Sequence, residues 1–342
     1  MSNRKNRAWR LAARPAGAIK KSDFRLAEEP VLSPKPGEAL VRTIYLSLDP
    51  TNRIWMSDVD QYMPPVGIGD VMRGGTIGVV EESNDPNLKP GEIVQGMWGW
   101  QDYACVPAAA LRARIPAGDP TPLTAYMSVL GGTGLTAYFG LLELGQPKEG
   151  ETVVVSAAAG AVGSIVGQIA KLKGCRVVGI AGTDEKCRWL TAELGFDAAI
   201  NYRRENVLEA LRKHCPKGID VDFENVGGDI LDAVLTLVNN YARVVLCGLI
   251  STYNENTEVP GPAKFANILM KRVKLQGFIV TDFLKRFPEG RAQLAEWVKA
   301  GKLKYQVDVV PGLENAPKAV GKLFTGENKG KLMVQVSEEP KR

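Results

Sequence analysis

The stretch that decides the fold is Ser156-Ala-Ala-Ala-Gly-Ala-Val-Gly-Ser164. It follows the apolar, β-branched run Glu151-Thr-Val-Val-Val155 and precedes residues 165–173, in which apolar side chains recur at helical spacing. A turn of small residues between a buried strand and a helix is the context in which a glycine fingerprint binds a dinucleotide. The fingerprint here is Ala158-x-Gly160-x-x-Gly163, a variant with alanine at the first position. An ordinary tight strand-to-helix turn is the alternative interpretation.

The composition indicates a globular protein of two domains. The chain has 342 residues, which is long for a single core. Its 45% hydrophobic and 24% charged residues are ordinary for such a protein. The net charge of +5 is spread along the chain and forms no dense stripe, so we expect no nucleic-acid partner.

The sequence gives no sign of a membrane or of a secretory route. No apolar run approaches the roughly 18 residues of a membrane span, and Met1–Arg7 lacks the apolar core of a signal peptide. The five cysteines are scattered without a CxxC spacing, which argues against a disulfide framework and a zinc knuckle. We therefore expect a cytoplasmic protein.

The character of the sequence changes near residue 131. Residues 1–130 carry short β-type runs punctuated by Gly and Pro, which predict an irregular β domain. Residues 131–304 alternate strand and helix patterns, with predicted strands at 151–155, 176–181, 198–202, 221–225, 242–247 and 275–280. This alternation predicts an α/β domain with a doubly wound parallel sheet. Residues 305–342 turn β-like again and are predicted to return to the first domain.

The end of the second strand indicates which dinucleotide binds. An NAD site usually carries an acid there to hold the ribose hydroxyls, but this strand ends Ala181-Gly182-Thr183. The small end leaves room for a 2′-phosphate, and Lys186 and Tyr202 could contact it. Asp184 is the counter-evidence, which we interpret as an acid at a helix N-terminus. The residues favour NADP over NAD, with a solvated lysine as the alternative for Lys186.

The chain has one histidine, His214, at a predicted helix end before Pro216. A single histidine and unclustered cysteines do not supply the ligand set of a zinc site, which leaves hydride transfer without a metal. Such a transfer to a carbonyl-conjugated alkene needs a hydroxyl donor near the carbonyl oxygen. Tyr253 follows the fifth strand of the sheet, where ligands bind, and is our candidate donor. A packing or cofactor-contacting aromatic is the alternative.

The turn-rich loop Asp60–Pro65 contains Tyr62 and Met63. An aromatic and a thioether in such a loop are typical of an apolar pocket. A loop packed on the protein surface is an equal alternative.

Taken together, these residues resemble one branch of a known family over nearly the whole chain. The chain looks like the zinc-independent medium-chain dehydrogenase/reductase superfamily, in its leukotriene B4 12-hydroxydehydrogenase, 15-oxoprostaglandin 13-reductase and curcumin reductase branch. The matching segments are residues 46–50, 134–140, 157–164, 184–186, 223–228, 247–254, 277–280 and 326–331. Each motif alone is weak, but the ordered set is specific to the branch.

The resemblance implies a Rossmann domain inserted into a GroES-like β-barrel domain, usually in a homodimer. It also implies NADPH-dependent reduction of the carbon–carbon double bond of α,β-unsaturated aldehydes and ketones. The residues that it assigns to NADP(H) are Gly160, Ala161, Val162 and Gly163 at the pyrophosphate, Lys186 and Tyr202 at the 2′-phosphate, and Asn225, Cys247, Gly248, Ile250, Ser251, Tyr253, Phe278, Ile279, Val280 and Asn328 along the rest. Tyr253 matches the tyrosine proposed to assist the proton step.

Two departures from the branch concern the substrate pocket. Many members have tyrosine where this chain has Thr51, so the wall is shorter and more polar there, and the use of bulky phenolic substrates such as curcumin stays open. Many members also read Met-Pro-Gly where this chain has Gly132-Thr-Gly134. We assign Thr51, Tyr62 and Met63 to the substrate pocket.

Two other functions stay open from the sequence. A quinone oxidoreductase shares the fold, although the segment 247–254 favours the alkenal reductases. A non-catalytic NADPH-binding protein is the second alternative, and the retained site residues argue against it.

Overall fold

The computed structural model of the protein describes residues 4–255 and 259–341. The strands are β1 Lys5–Leu11, β2 Phe24–Pro30, β3 Glu38–Ser47, β4 Thr76–Ser83, β5 Ile93–Gly96, β6 Tyr103–Pro107, β7 Ala113–Ile115, β8 Thr152–Val155, β9 Arg176–Ala181, β10 Ala198–Asn201, β11 Ile219–Glu224, β12 Val238–Leu246, β13 Lys274–Gly277, β14 Val307–Pro311 and β15 Lys331–Gln335. The α-helices are α1 Thr51–Trp55, α2 Leu123–Met127, α3 Gly132–Phe139, α4 Gly163–Leu172, α5 Asp184–Arg188, α6 Val207–His214, α7 Gly228–Leu237, α8 Ala266–Met270, α9 Phe287–Lys299, α10 Ala316–Ala319 and α11 Lys322–Thr325. None of these described helices has the length and apolar character needed to cross a membrane.

The chain divides into two compact units. The first contains the described residues up to Met127, together with Asp308–Asn328 and the residues from Leu332 onward. The second contains Ser128–Val307 and Lys329–Lys331. The tail of the chain therefore belongs mainly to the first unit.

The first unit is a β structure in which the pairs β15–β3, β3–β4, β3–β6, β4–β5 and β5–β7 are antiparallel. Its main sheet has the order β14-β15-β3-β4-β5-β7, with β6 paired to β3, and β1 and β2 form a separate ribbon. The core of this unit contains several large aromatic side chains. Trp100 is fully buried, and its ring stacks on that of Phe24 with the centroids 5.2 Å apart. The β domain predicted from the sequence is confirmed.

The second unit is built on a parallel sheet of order β10-β9-β8-β11-β12-β13. In chain order this is 3-2-1-4-5-6, so the direction of winding reverses between β8 and β11. Ligands of such sheets bind beyond the carboxyl ends of the strands at this switch point. The predicted doubly wound sheet is confirmed, and the fingerprint turn leaves β8 at the switch point.

Helices cover both faces of this sheet, which explains the uninterrupted apolar run of β8. Val153, Val154 and Val155 are all fully buried, as is usual for a central parallel strand. One face packs against apolar residues of α6 and α7. The helices α3 and α4 lie on the opposite side, where α4 contacts β8.

Some predicted elements end earlier than the sequence suggested. The predicted strand 275–280 ends at Gly277, because Val280–Arg286 forms a 3-10 helix whose Asp282 carboxylate accepts from the Ile279 N–H at 3.1 Å. The sequence patterns of residues 134–144 and 184–194 predict one helix each, but these segments are α-helical only as far as Phe139 and Arg188. Their last turns widen to π-helices, at Gly140–Gly145 and Trp189–Glu193.

Two glycines of α3 give a matched test of the packing. A Cβ on Gly134 would lie 1.8 Å from the carbonyl oxygen of Val129, whereas a Cβ on Gly132 would meet nothing within 4 Å. We expect Gly134→Ala to destabilise the protein by about 1–3 kcal/mol or more, since the backbone must move. Gly132→Ala should be neutral or stabilising by up to about 1 kcal/mol, because alanine favours helix. Urea denaturation of both variants measures this; equal effects would contradict the packing of α3.

Candidate functional site

The fingerprint turn is a tight backbone structure at the end of β8. Ala157 adopts a left-handed conformation with φ of 47°, and its carbonyl oxygen accepts the Gly160 N–H at 2.9 Å. A Cβ on Gly163 would lie 2.6 Å from that same oxygen, so only glycine fits where α4 begins. The turn therefore brings the start of the helix directly against the end of the strand.

The start of α4 offers donors to an anion. Ala161 and Val162 lie between the fingerprint turn and the first residue of the helix, and both are half-buried. The helix that follows adds the positive end of its dipole. Gly160 also forms a parallel bridge with Gly330 of the same unit. Close backbone approach and a helix start fit a pyrophosphate.

The end of β9 forms a second corner of the site. A Cβ on Gly182 would lie 3.1 Å from the ring of Tyr202, so this ring covers the strand end. Tyr202 is 43% exposed, and the Arg203 guanidinium lies 5.7 Å from its ring centroid. Lys186 is half-buried in the first turn of α5, one turn from the strand end. The corner combines an aromatic face with cationic side chains, as an adenosine phosphate requires.

Asp184, the acid that argues against NADP, forms hydrogen bonds within the protein. Thr183 caps α5 by accepting the Lys186 N–H at 3.2 Å. Asp184, in the first turn, accepts from Asn201 Nδ2 at 2.6 Å and pairs with Arg204 at 2.5 Å. These two contacts hold the Asp184 carboxylate against the end of β10 and the residues that follow it.

The segment that follows β12 is tied to the end of β11 by its backbone. The Cys247 and Gly248 N–H groups donate to the carbonyl oxygen of Glu224, at 2.9 and 3.1 Å. The N–H groups of Ile250 and Ser251 donate to residues 225 and 226, both at 3.1 Å. The structure thus brings Asn225 together with Cys247, Gly248, Ile250 and Ser251 at the carboxyl edge of the sheet.

Tyr253 is oriented by this segment. Its hydroxyl oxygen accepts the Leu249 N–H at 3.1 Å. A Cβ on Gly248 would lie 3.0 Å from that oxygen, so the phenol rests on the backbone. The candidate donor is therefore fixed at the carboxyl edge of the sheet, two residues after Ser251.

Phe278, Ile279 and Val280 lie beyond the end of β13, and all three are half-buried. The Phe278 ring packs edge-on against that of Phe223 at 6.4 Å. A Cβ on Gly140 would lie 2.5 Å from the Phe278 ring. These contacts place the segment on the α3 side of the sheet.

The first unit holds the remaining predicted site residues. Thr51 begins α1, and the hydroxyl of Tyr62 accepts from Trp55 Nε1 at 2.8 Å. Residues 58–65 line an open depression of about 550 Å³. Burial raises the pKa of Tyr62, so the phenol stays protonated near neutral pH. Met63 packs against the core of this unit, and Asn328 is buried in it.

The sequence analysis missed two residues at the switch point, Ser156 and Glu224. Both are fully buried, and the Ser156 hydroxyl donates to the Glu224 carboxylate at 2.6 Å. The signal for Glu224 was present, because acids alternate with apolar residues through β11 instead of the unbroken apolar pattern of a central strand.

His214 ends α6, and its carbonyl oxygen accepts from Arg176. Burial lowers the pKa of its imidazole, which is therefore neutral near pH 7. In the part of the chain that the structure describes, no group of three or more His, Cys, Asp or Glu could hold a metal ion.

Comparisons with known proteins agree with this geometry. Residues 7–113 match the family model for the N-terminal domain of oxidoreductases, and residues 161–298 match that for zinc-binding dehydrogenases. The NADPH-dependent curcumin reductase of Escherichia coli (strain K12) is 49% identical over 339 residues, 97% of each chain. The NADP(+)-dependent 2-alkenal reductase of Nicotiana tabacum is 42% identical over 329 residues, 94% of this chain and 95% of that one.

A solved structure extends the likeness to three dimensions. The crystal structure of CurA from Vibrio vulnificus in complex with NADPH has a TM-score of 0.92 to this chain at 47% sequence identity. The match covers 97% of this chain and 100% of that one.

The corner at the end of β9 gives a test of cofactor selectivity. We expect Lys186→Ala to weaken NADPH binding about tenfold or more, since one charged contact to the 2′-phosphate is lost. NADH binding should not change. Lys173→Ala, an exposed lysine after α4, is the matched control. Fluorescence titration with both cofactors measures this, and an equal loss for NADH and NADPH would refute the role of Lys186.

Proposed function

The chain belongs to the alkenal reductase branch of the medium-chain dehydrogenase/reductase superfamily, and we propose on this premise that it reduces carbon–carbon double bonds with NADPH. Its substrates are α,β-unsaturated aldehydes and ketones. One observation carries the proposal: the fingerprint turn and the Tyr253 hydroxyl lie at the same carboxyl edge of one parallel sheet. Relatives that share this arrangement over almost their whole length are named as NADPH-dependent reductases.

The second unit holds the cofactor through three groups of its residues. Gly160, Ala161, Val162 and Gly163 receive the pyrophosphate, and the crowding at Gly163 is the close fit that such a cradle needs. Lys186 and Tyr202 receive the 2′-phosphate. To the rest of NADP(H) we assign Asn225, Cys247, Gly248, Ile250, Ser251, Tyr253, Phe278, Ile279 and Val280 of this unit. Asn328 belongs to the first unit, and its assignment to the cofactor rests on the family resemblance.

Bound NADPH supplies a hydride to the β-carbon of the conjugated alkene. Negative charge then develops on the carbonyl oxygen of the substrate, and a positioned O–H donor lowers the free energy of that charge. Tyr253 is suited to this role because its hydroxyl oxygen accepts from the Leu249 N–H, which holds the phenol at the carboxyl edge of the sheet. The same hydroxyl is the candidate for proton transfer to the α-carbon.

Thr51, Tyr62 and Met63 form the substrate-binding surface of the first unit. The Trp55 N–H and the Thr51 side chain both face the Tyr62 hydroxyl, which gives this surface polar groups beside an aromatic ring. Thr51 gives this surface a short, polar wall.

We also propose a homodimer. Strand β13 is one of the two edge strands of the parallel sheet, and edge strands pair readily with a second copy. Next to it, Phe265, Leu269 and Met270 expose 66%, 73% and 64% of their surface. An exposed apolar patch beside an edge strand is typical of an interface. Light scattering should give twice the mass of the chain; Leu269→Glu should lower it, whereas Leu32→Glu, 71% exposed, should not.

We place the protein in the cytoplasm. All five cysteines are free thiols. Burial raises the pKa of Cys175 and Cys187 to about 11 and that of Cys215 to about 12. Unpaired, protonated thiols suit a reducing compartment.

A substrate panel tests the function directly. Purified protein is mixed with NADPH and, separately, with 2-alkenals, 2-enones and quinones, while the absorbance of the reduced cofactor is followed. We expect oxidation of NADPH with enals and enones. Oxidation with quinones alone would replace the proposal with a quinone reductase, and no oxidation with any member would refute an enzymatic function.

Tyr253→Phe tests the hydroxyl donor. We expect kcat for an enal to fall about 100-fold, the usual loss when one donor to a developing oxyanion is removed. The NADPH dissociation constant should stay within about twofold, since the ring remains. Tyr241→Phe, at a site 67% exposed, is the control. An unchanged kcat for Tyr253→Phe would exclude this hydroxyl from the reaction.

A further inference from the structure

Strand β11 carries three acids on one face. Side chains alternate across a strand, so Asp220, Asp222 and Glu224 point to the same side of the sheet. Asp220, at the amino end, is half-buried and accepts from the Thr152 N–H at 2.8 Å and from Asn239 Nδ2 at 2.7 Å. Asp222 and Glu224 are fully buried. Two buried carboxyl groups side by side are costly, so they need a compensating arrangement.

Glu224 is compensated by hydrogen bonds from the switch point. Its Oε1 accepts from the Ser156 hydroxyl at 2.6 Å and from the N–H groups of Val226 and Gly227 at 2.5 and 2.9 Å. The Ser156 oxygen accepts in turn from the Asn225 N–H at 2.7 Å. The carboxylate therefore joins the end of β8 to the turn after β11.

The turn after β11 is hydrogen-bonded to the segment 247–253, which follows β12. The carbonyl oxygen of Glu224 itself accepts from Cys247 and Gly248, and the next two carbonyls accept from Ile250 and Ser251. Tyr253 is fixed by the N–H of Leu249 within the same segment. A change in the turn would thus move the segment that we assign to the cofactor and to the proton step.

Asp222 has no such donors. Among the described residues, neither of its carboxyl oxygens has a hydrogen-bond partner, and Glu224 Oε2 has none either; all three atoms are buried. One proton held between two carboxyl groups supplies the missing donor and avoids two adjacent negative charges. Burial and the charge of Glu224 raise the pKa of Asp222 well above its ordinary value, and burial also raises the pKa of Glu224.

Helix α6, which packs on this side of the sheet, carries the charged residues Glu209, Arg212 and Lys213, and all three are exposed. Cys247 follows β12, and burial with the charge of Glu224 raises the pKa of its thiol to about 12, so it is neutral. Strand β8 contributes none between Thr152 and Val155. Helix α7 on this side carries Asp229, which is exposed, and Asp232, whose carboxylate accepts from the Lys264 N–H.

We propose that Asp222 and Glu224 act as one positioning pair, in which a protonated Asp222 donates to Glu224 and Glu224 holds the turn 225–227 in the shape that NADPH binding requires. This proposal rests on the proposed function only because it takes NADPH to be the ligand. The pair does not touch the reacting atoms in this scheme; it acts through Ser156 and the backbone of the turn.

The shared proton makes the stability of the folded protein depend on pH in a defined direction. A carboxyl group whose pKa is raised in the folded state binds its proton more tightly there than in the unfolded chain. The contribution of this group to the free energy of unfolding is therefore largest below the ordinary aspartate pKa of about 4. It falls as the pH rises towards the raised pKa. Asp222→Asn keeps a donor to Glu224 but cannot ionise. We expect its melting temperature to exceed that of the wild type by a margin that grows from pH 5 to pH 9.

The positioning role is tested by NADPH titration of apo protein. Asp222→Asn should bind NADPH within about twofold of the wild type, whereas Asp222→Val, which leaves Glu224 Oε2 without a donor, should bind about tenfold more weakly. Glu224→Gln should also weaken binding about tenfold, since charged acceptors make the stronger hydrogen bonds. Asp220→Asn, on the same strand face but at its far end, should lower stability and leave NADPH affinity unchanged.

Two results would overturn the proposal. A constant melting-temperature difference between Asp222→Asn and the wild type across the pH range would exclude the shared proton. Equal NADPH affinity for Asp222→Asn and Asp222→Val would exclude the positioning role. Neither measurement uses an enal, so a protein that reduces no enal but passes both tests would refute the proposed reaction and leave the pair in place.

Discussion

The hydrogen bond from the Ser156 hydroxyl to the buried Glu224 carboxylate is the interaction on which the site depends. It joins the ends of β8 and β11, the two central strands between which the winding of the sheet reverses. In a parallel sheet this reversal leaves a crevice without a crossover helix, and a ligand occupies it. A buried carboxyl group keeps the two strand ends together, and it accepts hydrogen bonds from backbone donors of the same turn. The fingerprint turn begins at Ser156, and the segment 247–253 is hydrogen-bonded to the backbone at Glu224.

The cofactor groups are distributed around the same sheet edge by simple steric rules. Small residues stand where the backbone must approach a phosphate or a helix must approach a strand, as at Gly163. Aromatic and cationic side chains, such as Tyr202 and Arg203, lie where we assign the adenosine 2′-phosphate of the cofactor. Asp184, the residue that speaks for NAD, accepts from Asn201 and forms an ion pair with Arg204.

The sequence predicted the features that arise from local patterns. The strand-turn-helix around Gly160, the alternation after residue 131 and the β character of the first unit follow from periodicity and from the placement of glycine and proline, and the structure confirms them. The family resemblance agrees with the comparisons and implied the reaction class. The predicted end of the strand at residue 280 was wrong. A 3-10 helix begins there through a side-chain contact of Asp282, which apolar periodicity does not reveal. The pairing of Ser156 with Glu224 joins residues 68 positions apart, so it depends on strand order and not on local sequence. The roles of the individual site residues stay predictions.

Hydride transfer to the β-carbon of a conjugated double bond is the central claim, and isotopic labelling tests it most directly. The protein is supplied with NADPH that carries deuterium at the transferable position of the nicotinamide, in each of its two stereoisomers, together with a 2-alkenal. Proton NMR of the product then locates the label. The account predicts deuterium at the β-carbon of a saturated aldehyde, from one of the two stereoisomers. Deuterium on the carbonyl carbon, with the double bond retained, would contradict it.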